Sequence, residues 1–131
     1  LIPAWTSDWV GIPHAKLGRD RSACDCLGLV ILLKKHRQGV TIPDPMCSVA
    51  EAVRMRLADR HRSQYQEVTD PQEGDVILMR SQGHPIHVGY CIDQNLMLHS
   101  EEGAESTVEQ WNGTKWKNRV VGVFRYVGAG L

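Results

Sequence analysis

One stretch constrains this chain more than any other. From Cys26 to Gln38 the apolar residues Leu29, Val30, Leu32 and Leu33 recur at helical spacing, Asp25 stands just before the start, Lys34, Lys35, His36 and Arg37 fill the last turn, and Gly39 supplies a stop. The near-continuous apolar first half, Leu27 to Leu33, predicts a helix buried centrally and not laid on the surface. Any fold for this chain must therefore cover that helix.

The cover is predicted from the second half. Asp70 to Asp75 is a turn cluster that launches a strand from Val76 to Arg80. Ile86 to Ile92 alternates, with Ile86, Val88, Tyr90 and Ile92 on one face and His87, Gly89 and Cys91 on the other. A loop at Asp93 to Asn95 turns it into Leu96 to Ser100, and Val120 to Val127 reads as the last strand. Ser48 followed by Glu51 is a capping-box signature for a second helix through about Arg60, with Val49, Ala52, Val53 and Leu57 as its apolar face. Helices first and sequential antiparallel strands afterwards predict an α+β domain, its helices packed on one small sheet. At 131 residues one core is expected, covering 1–131: an amino-terminal arm over 1–24, irregular or a short helix plus loop, a helical half over 25–62 and a sheet half over 75–127.

Charge and composition exclude several function classes. Fifteen basic and fifteen acidic residues cancel, so no electrostatic footprint points to nucleic acid. No apolar run approaches the roughly 20 residues that cross a bilayer, so membrane insertion is not expected. Leu1 to Trp9 lacks a basic region followed by an apolar one, and no secretory signal is expected there. The four cysteines, Cys24, Cys26, Cys47 and Cys91, are expected as free thiols. Cys24-Asp25-Cys26 has no second close pair to complete a zinc site, so no metal or cofactor is expected.

The chemistry gathers around Cys26. A helix N-terminus presents free N–H groups and a positive dipole end, an environment expected to favour a thiolate. If Ile92 pairs with Leu96, Gly89 lies opposite His99 and His87 lies diagonal to it on the same face. Gly89 is expected to leave the space between two imidazoles open. The spacing then yields a relay in which Cys26 attacks, His87 handles the proton, and His99 fixes the tautomer of His87. A small buried thiol beside Gly28 is the competing structural reading of Cys26, and Cys91, on the face of His87, is a competing nucleophile without the helix dipole. Cys24 could pair with Cys26 or stand as an inert thiol. His14, His36, His61 and His84 read as loop or helix-end residues. Trp111 and Trp116 either anchor a loop against the sheet or stack on a sugar.

Four segments in order, Asp25-Cys26-Leu27-Gly28-Leu29-Val30, Gly74-Asp75-Val76-Ile77-Leu78, His87-Val88-Gly89-Tyr90 and Met97-Leu98-His99-Ser100, resemble the NlpC/P60 cysteine peptidases. The likeness is greatest to the phage-tail branch, through Trp9-Val10-Gly11-Ile12-Pro13, Gly18-Arg19-Asp20 and Val121-Gly122-Val123-Phe124-Arg125-Tyr126. The resemblance implies a papain-like α+β fold and hydrolysis of peptide bonds in peptidoglycan stems, with Cys26 as nucleophile, His87 as base and His99 as the third polar residue. It implies no cofactor. In the tail branch the work would be wall digestion during genome delivery, or tail-tip assembly among other tail proteins. The chain departs from many relatives in having Leu27 where they carry Ser. It also has Trp9 roughly where they carry a Tyr near the nucleophile. Asp25 and Trp9 are accordingly the expected substrate contacts. The resemblance leaves two other readings: a structural tail component with little turnover, or a thiol amidase or acyltransferase.

Overall fold

The computed structural model describes residues 1–54, 62–81 and 84–128. Helix α1 runs from Cys26 to Gln38, with the bounds and the Gly39 stop that its sequence predicts, and is capped at its start by Asp25. Asp25 is extended at φ −89°, and its carboxylate accepts the Gly28 N–H at 2.8 Å. Gly39 takes the left-handed conformation, φ 67°, and its N–H returns to the carbonyls of Lys34 and Lys35. Leu29, Val30 and Leu33 are fully buried, as a helix covered on several sides requires. Helix α2, Val49–Arg54, opens with the Glu51 N–H donating to Ser48 Oγ at 3.1 Å. Its expected continuation to Arg60, with Leu57, and His61 lie outside the described residues, as do the side chains of Val53, His84 and Ile86.

Six antiparallel strands form the main sheet. They are β3 (Tyr65–Glu67), β4 (Val76–Ser81), β5 (His84–Cys91), β6 (Leu96–His99), β7 (Thr107–Gln110) and β8 (Val120–Tyr126), in spatial order β3-β8-β4-β5-β6-β7. The turn at 93–95 forms as predicted: Ile92 N–H donates to the Leu96 carbonyl at 2.8 Å, and Tyr90 pairs with Leu98. Two edge strands, β3 and β7, escape the sequence pattern. Each is three or four residues long and half exposed, so neither shows a buried face to read. The amino-terminal arm takes the short-helix form of its two readings, a 3₁₀ helix over Ala4–Trp9, and adds a hairpin of β1 (Arg19–Asp20) and β2 (Ala23–Cys24) that its sequence does not signal.

The sheet separates two cores. On one face Val76, Val88, Tyr90, Ile92, Leu96 and Leu98 pack with Leu29, Val30 and Leu33 of α1. On the other, Ile77, Met79, Cys91, Met97 and Val123 pack beneath Trp116. Burial of these side chains is the main drive to this arrangement, at roughly 1.5–3 kcal/mol for each large apolar group taken from water. At Gly28 the hairpin comes so near the helix start that a Cβ would collide with the Gly18 carbonyl oxygen. The space over Gly89 corrects an expectation, because it is filled: a Cβ there would lie 2.8 Å from Met97 Sδ and 3.3 Å from Met79 Cε.

Candidate active site

Cys26 owes its place to Asp25. The Asp25 carboxylate caps Gly28, accepts the Leu17 N–H at 3.1 Å and accepts Arg19 Nη1 at 2.7 Å, while Arg19 Nε also reaches Asp44 at 3.0 Å. These bonds tie the preceding hairpin to the first turn of α1 and set the position of Cys26. The Cys26 sulphur faces the backbone N–H groups of Val88 and Leu27, which favour a thiolate. Burial opposes them and prevails, pushing the thiol up to about 11. The expectation that the helix start lowers this group is thus overturned by the desolvation of a side chain only 9% exposed.

His87, next to Val88 on β5, points to the opposite face, where the two predicted imidazoles meet. His87 Nε2 lies 2.8 Å from His99 Nδ1. His99 is fully buried, and its Nε2 lies 2.7 Å from Glu109 Oε2 on β7. Trp116 stacks on His87 with centroids 5.3 Å apart and planes 18° apart, meets His99 edge-on, and donates its Nε1–H to the same Glu109 oxygen at 2.7 Å. Burial, and then the neighbouring His99, drive His87 down to about 3, against the pull of Glu109. His99 is lowered too, chiefly by burial. Both rings are therefore neutral near pH 7, as a proton acceptor must be. Glu109 and the stacking role of Trp116 were missed in the sequence: Trp116 sits in a polar segment, and β7 gave no strand signal.

Cys26 and His87 line one cleft of about 790 Å³, together with His14, Lys16, Ser100 and Glu101. His14, read from sequence as a plain loop residue, is bonded through Nδ1 to Ser100 Oγ at 3.1 Å and belongs to this wall. Asp25 lines the cleft as well, although its carboxylate is committed to the bonds above. Trp9 is not among the lining residues; it is buried in the core, edge-on to His36 and under the Arg21 guanidinium. Cys91 is fully buried, its S–H directed to the Asp93 carbonyl at 3.0 Å, and burial pushes it up to about 12. Cys24 is likewise free and fully buried. Ligand atoms of His99, Glu101 and Glu109 lie within 4.8 Å of one another, and the Lys115 ammonium already supplies a cation there, 3.1 Å from Glu101 and 3.5 Å from Glu109. A thiol, a neutral imidazole and an anchored relay beside a polar cleft are the parts needed for acyl transfer through a covalent thioester.

Comparison with known proteins bears on the family and the fold. The model of the NlpC/P60 family matches residues 11–125. The murein DD-endopeptidase MepS/murein LD-carboxypeptidase of Escherichia coli is 22% identical over 113 residues, 86% of this chain and 55% of that protein, so the chain spans about half the length of this relative. Among solved structures, the NlpC/p60 domain of the peptidoglycan hydrolase SagA superposes with a TM-score of 0.63 at 18% identity, covering 93% of each chain. An NlpC/P60 family protein from Bacillus cereus reaches a TM-score of 0.68 at 22% identity over 92% of this chain and 37% of its own.

Proposed function

Because the chain belongs to the NlpC/P60 family, we propose that it is a cysteine endopeptidase that hydrolyses peptide bonds in the stem peptides of bacterial peptidoglycan. The observation that carries this reading is the meeting of Cys26 and His87 in one cleft, with His87 held by His99. A murein endopeptidase among the relatives supports the substrate class.

The resting site pairs a neutral thiol with a neutral imidazole, so the nucleophile forms during attack and not before it. His87 takes the thiol proton as the Cys26 sulphur bonds to the peptide carbonyl carbon. Backbone N–H groups of the first turn of α1 are the natural donors to the resulting oxyanion; Gly28 and Leu29 are already bonded to Asp25 and the Leu27 N–H faces the sulphur, which leaves the Cys26 N–H for this role. His87 then gives its proton to the leaving amine nitrogen as the C–N bond breaks. Water, deprotonated by His87, opens the thioester and returns the proton to sulphur. Asp25 serves this chemistry by holding the helix start.

The setting we propose is a phage tail, where the enzyme would act on the bacterial wall beside other tail proteins. The support is the resemblance of the segments around Trp9, Gly18 and Val121 to the tail branch. Digestion of purified peptidoglycan and defined stem peptides by the wild type and Cys26→Ala, with mass spectrometry of the fragments, tests the activity. Fragments that vanish in the variant are expected and identify the bond. Equal silence of both, on wall that a control enzyme digests, would favour a structural tail component.

A further inference from the structure

The bonds behind His99 carry more information than the pair of histidines alone. An ionised carboxylate only accepts hydrogen bonds, and an indole N–H only donates. Glu109 Oε2 lies 2.7 Å from Trp116 Nε1 and 2.7 Å from His99 Nε2, so one oxygen receives two donors. His99 Nε2 must then carry hydrogen, which leaves its Nδ1 bare in the neutral ring. That bare nitrogen lies 2.8 Å from His87 Nε2 and must receive a hydrogen from it. His87 Nε2 is therefore protonated, and its free lone pair is on Nδ1.

Resting on the peptidase reading above, we propose that Glu109 is a positioning residue that sets the direction of the whole chain of bonds, holding both imidazoles as Nε2–H tautomers and leaving His87 Nδ1 as the base for the Cys26 thiol. Reversal of the chain would put a hydrogen on Nδ1 and leave His87 unable to accept the thiol proton. Several groups keep Glu109 ionised. Burial disfavours its charge, but the bonds from Trp116 and His99 and the nearby Lys115 ammonium outweigh it and hold the carboxyl below its usual range. Glu101, the other acid by His99, is bonded to Lys115 at 3.1 Å. Trp116 therefore both covers the imidazoles and consumes an acceptor site in the geometry that requires an oxygen, not an amide nitrogen, at that place.

When His87 takes the thiol proton it becomes an imidazolium. Its Nε2–H bond to His99 Nδ1 strengthens, and the carboxylate behind His99 stabilises the new charge without itself taking the proton. A glutamine in place of Glu109 keeps an acceptor oxygen but not the charge, and an alanine keeps neither.

The test combines histidine-labelled NMR with steady-state kinetics on Glu109→Gln and Glu109→Ala. In the wild type both rings are expected as Nε2–H tautomers. Glu109→Gln should keep them and lower kcat about tenfold, in line with loss of charge assistance. Glu109→Ala should mix the tautomers and lower kcat by about 10²-fold, with KM within about twofold of wild type. An Nδ1–H tautomer at His99 in the wild type would overturn the proposal. So would unchanged tautomers and kcat in the alanine variant, or equal losses in the two variants with tautomers intact, which mark a merely structural role. Should the alanine variant fail to fold, the wild-type and Glu109→Gln spectra still decide. Absence of turnover by the wild type would count against the peptidase reading, whereas the tautomers answer for Glu109 independently.

Discussion

The two faces of the central sheet solve opposite problems with the same strands. The face toward α1 is aliphatic and is closed by a helix whose burial follows from its own periodicity. The opposite face buries His87 and His99 among Met79, Met97 and Trp116, and it must satisfy every polar atom it hides. Packing dominates the first face, with the Tyr90 hydroxyl donating to Glu73 at its margin. Donor–acceptor bookkeeping holds the second, through His87, His99, Glu109 and Trp116 in sequence. The proposed nucleophile, Cys26, belongs to the first and the proposed base, His87, to the second, so the pair joins a helix start held by its Asp25 cap to an imidazole oriented by a chain of bonds. This division explains why the thiol lies at the start of a rigid helix while the imidazole needs a chain of partners.

The largest effect that would break this comparison is at the junction itself. Cys26→Ala and His87→Ala should each abolish measurable peptide release while leaving the far-ultraviolet circular dichroism unchanged. Retained turnover in either would remove that residue from the mechanism. Next in size is the cover of the polar face. Trp116→Ala removes a side chain 1% exposed that stacks on His87 and donates to Glu109. A loss of about 3–5 kcal/mol in chemical denaturation is expected, with turnover falling as well. A loss below about 1 kcal/mol would show that the indole is not the keystone of that face.

The polar face should also reveal itself through pH. In the unfolded chain His87 titrates near its ordinary 6.5, whereas in the fold burial lowers it to about 3. Between those values the unfolded state binds a proton that the native state refuses. Stability from this group is thus fully present above pH 6.5 and is lost as pH falls toward 3, at up to about 1.4 kcal/mol per pH unit. His99, lowered in the same direction, adds to the slope. Denaturation midpoints measured from pH 7 to pH 4 should fall for the wild type and fall less steeply for His87→Gln. Equal slopes would mean that the acid sensitivity resides elsewhere.

The two faces also differ in how much of them could be read from residues alone. Helix α1, its caps and the alternation of β5 are local patterns, and the loop at 93–95 fixed the register that brings His87 to His99. The relay beyond His99 depends on Glu109 in a short edge strand and on Trp116 in a loop. Neither has local periodicity, and their meeting is a consequence of tertiary closure. His14 was overlooked for the same reason: nothing in Pro13-His14-Ala15 signals that its ring will join a wall with Ser100, 86 positions along. The thiol's acidity was misjudged because a helix N-terminus can be seen in sequence, whereas the desolvation that outweighs it cannot.

Cys91 gives the smallest and sharpest contrast between the faces. It shares a strand face with His87, and by sequence it competes with Cys26 as nucleophile. The structure separates them by surroundings: Cys26 opens to the cleft, whereas Cys91 is sealed at 0% exposure with its S–H committed to Asp93. Cys91→Ala should leave kcat and KM unchanged and cost about 1 kcal/mol of stability, the scale of one small buried group. Native-state alkylation followed by peptide mapping should modify Cys26 well ahead of Cys91. It should proceed slowly at neutral pH and faster as pH rises, because burial holds the Cys26 thiol near 11. Rapid labelling of Cys26 at pH 6 would mean that a thiolate pre-exists beside a charged His87, and the division between a neutral nucleophile on one face and a neutral base on the other would have to be abandoned.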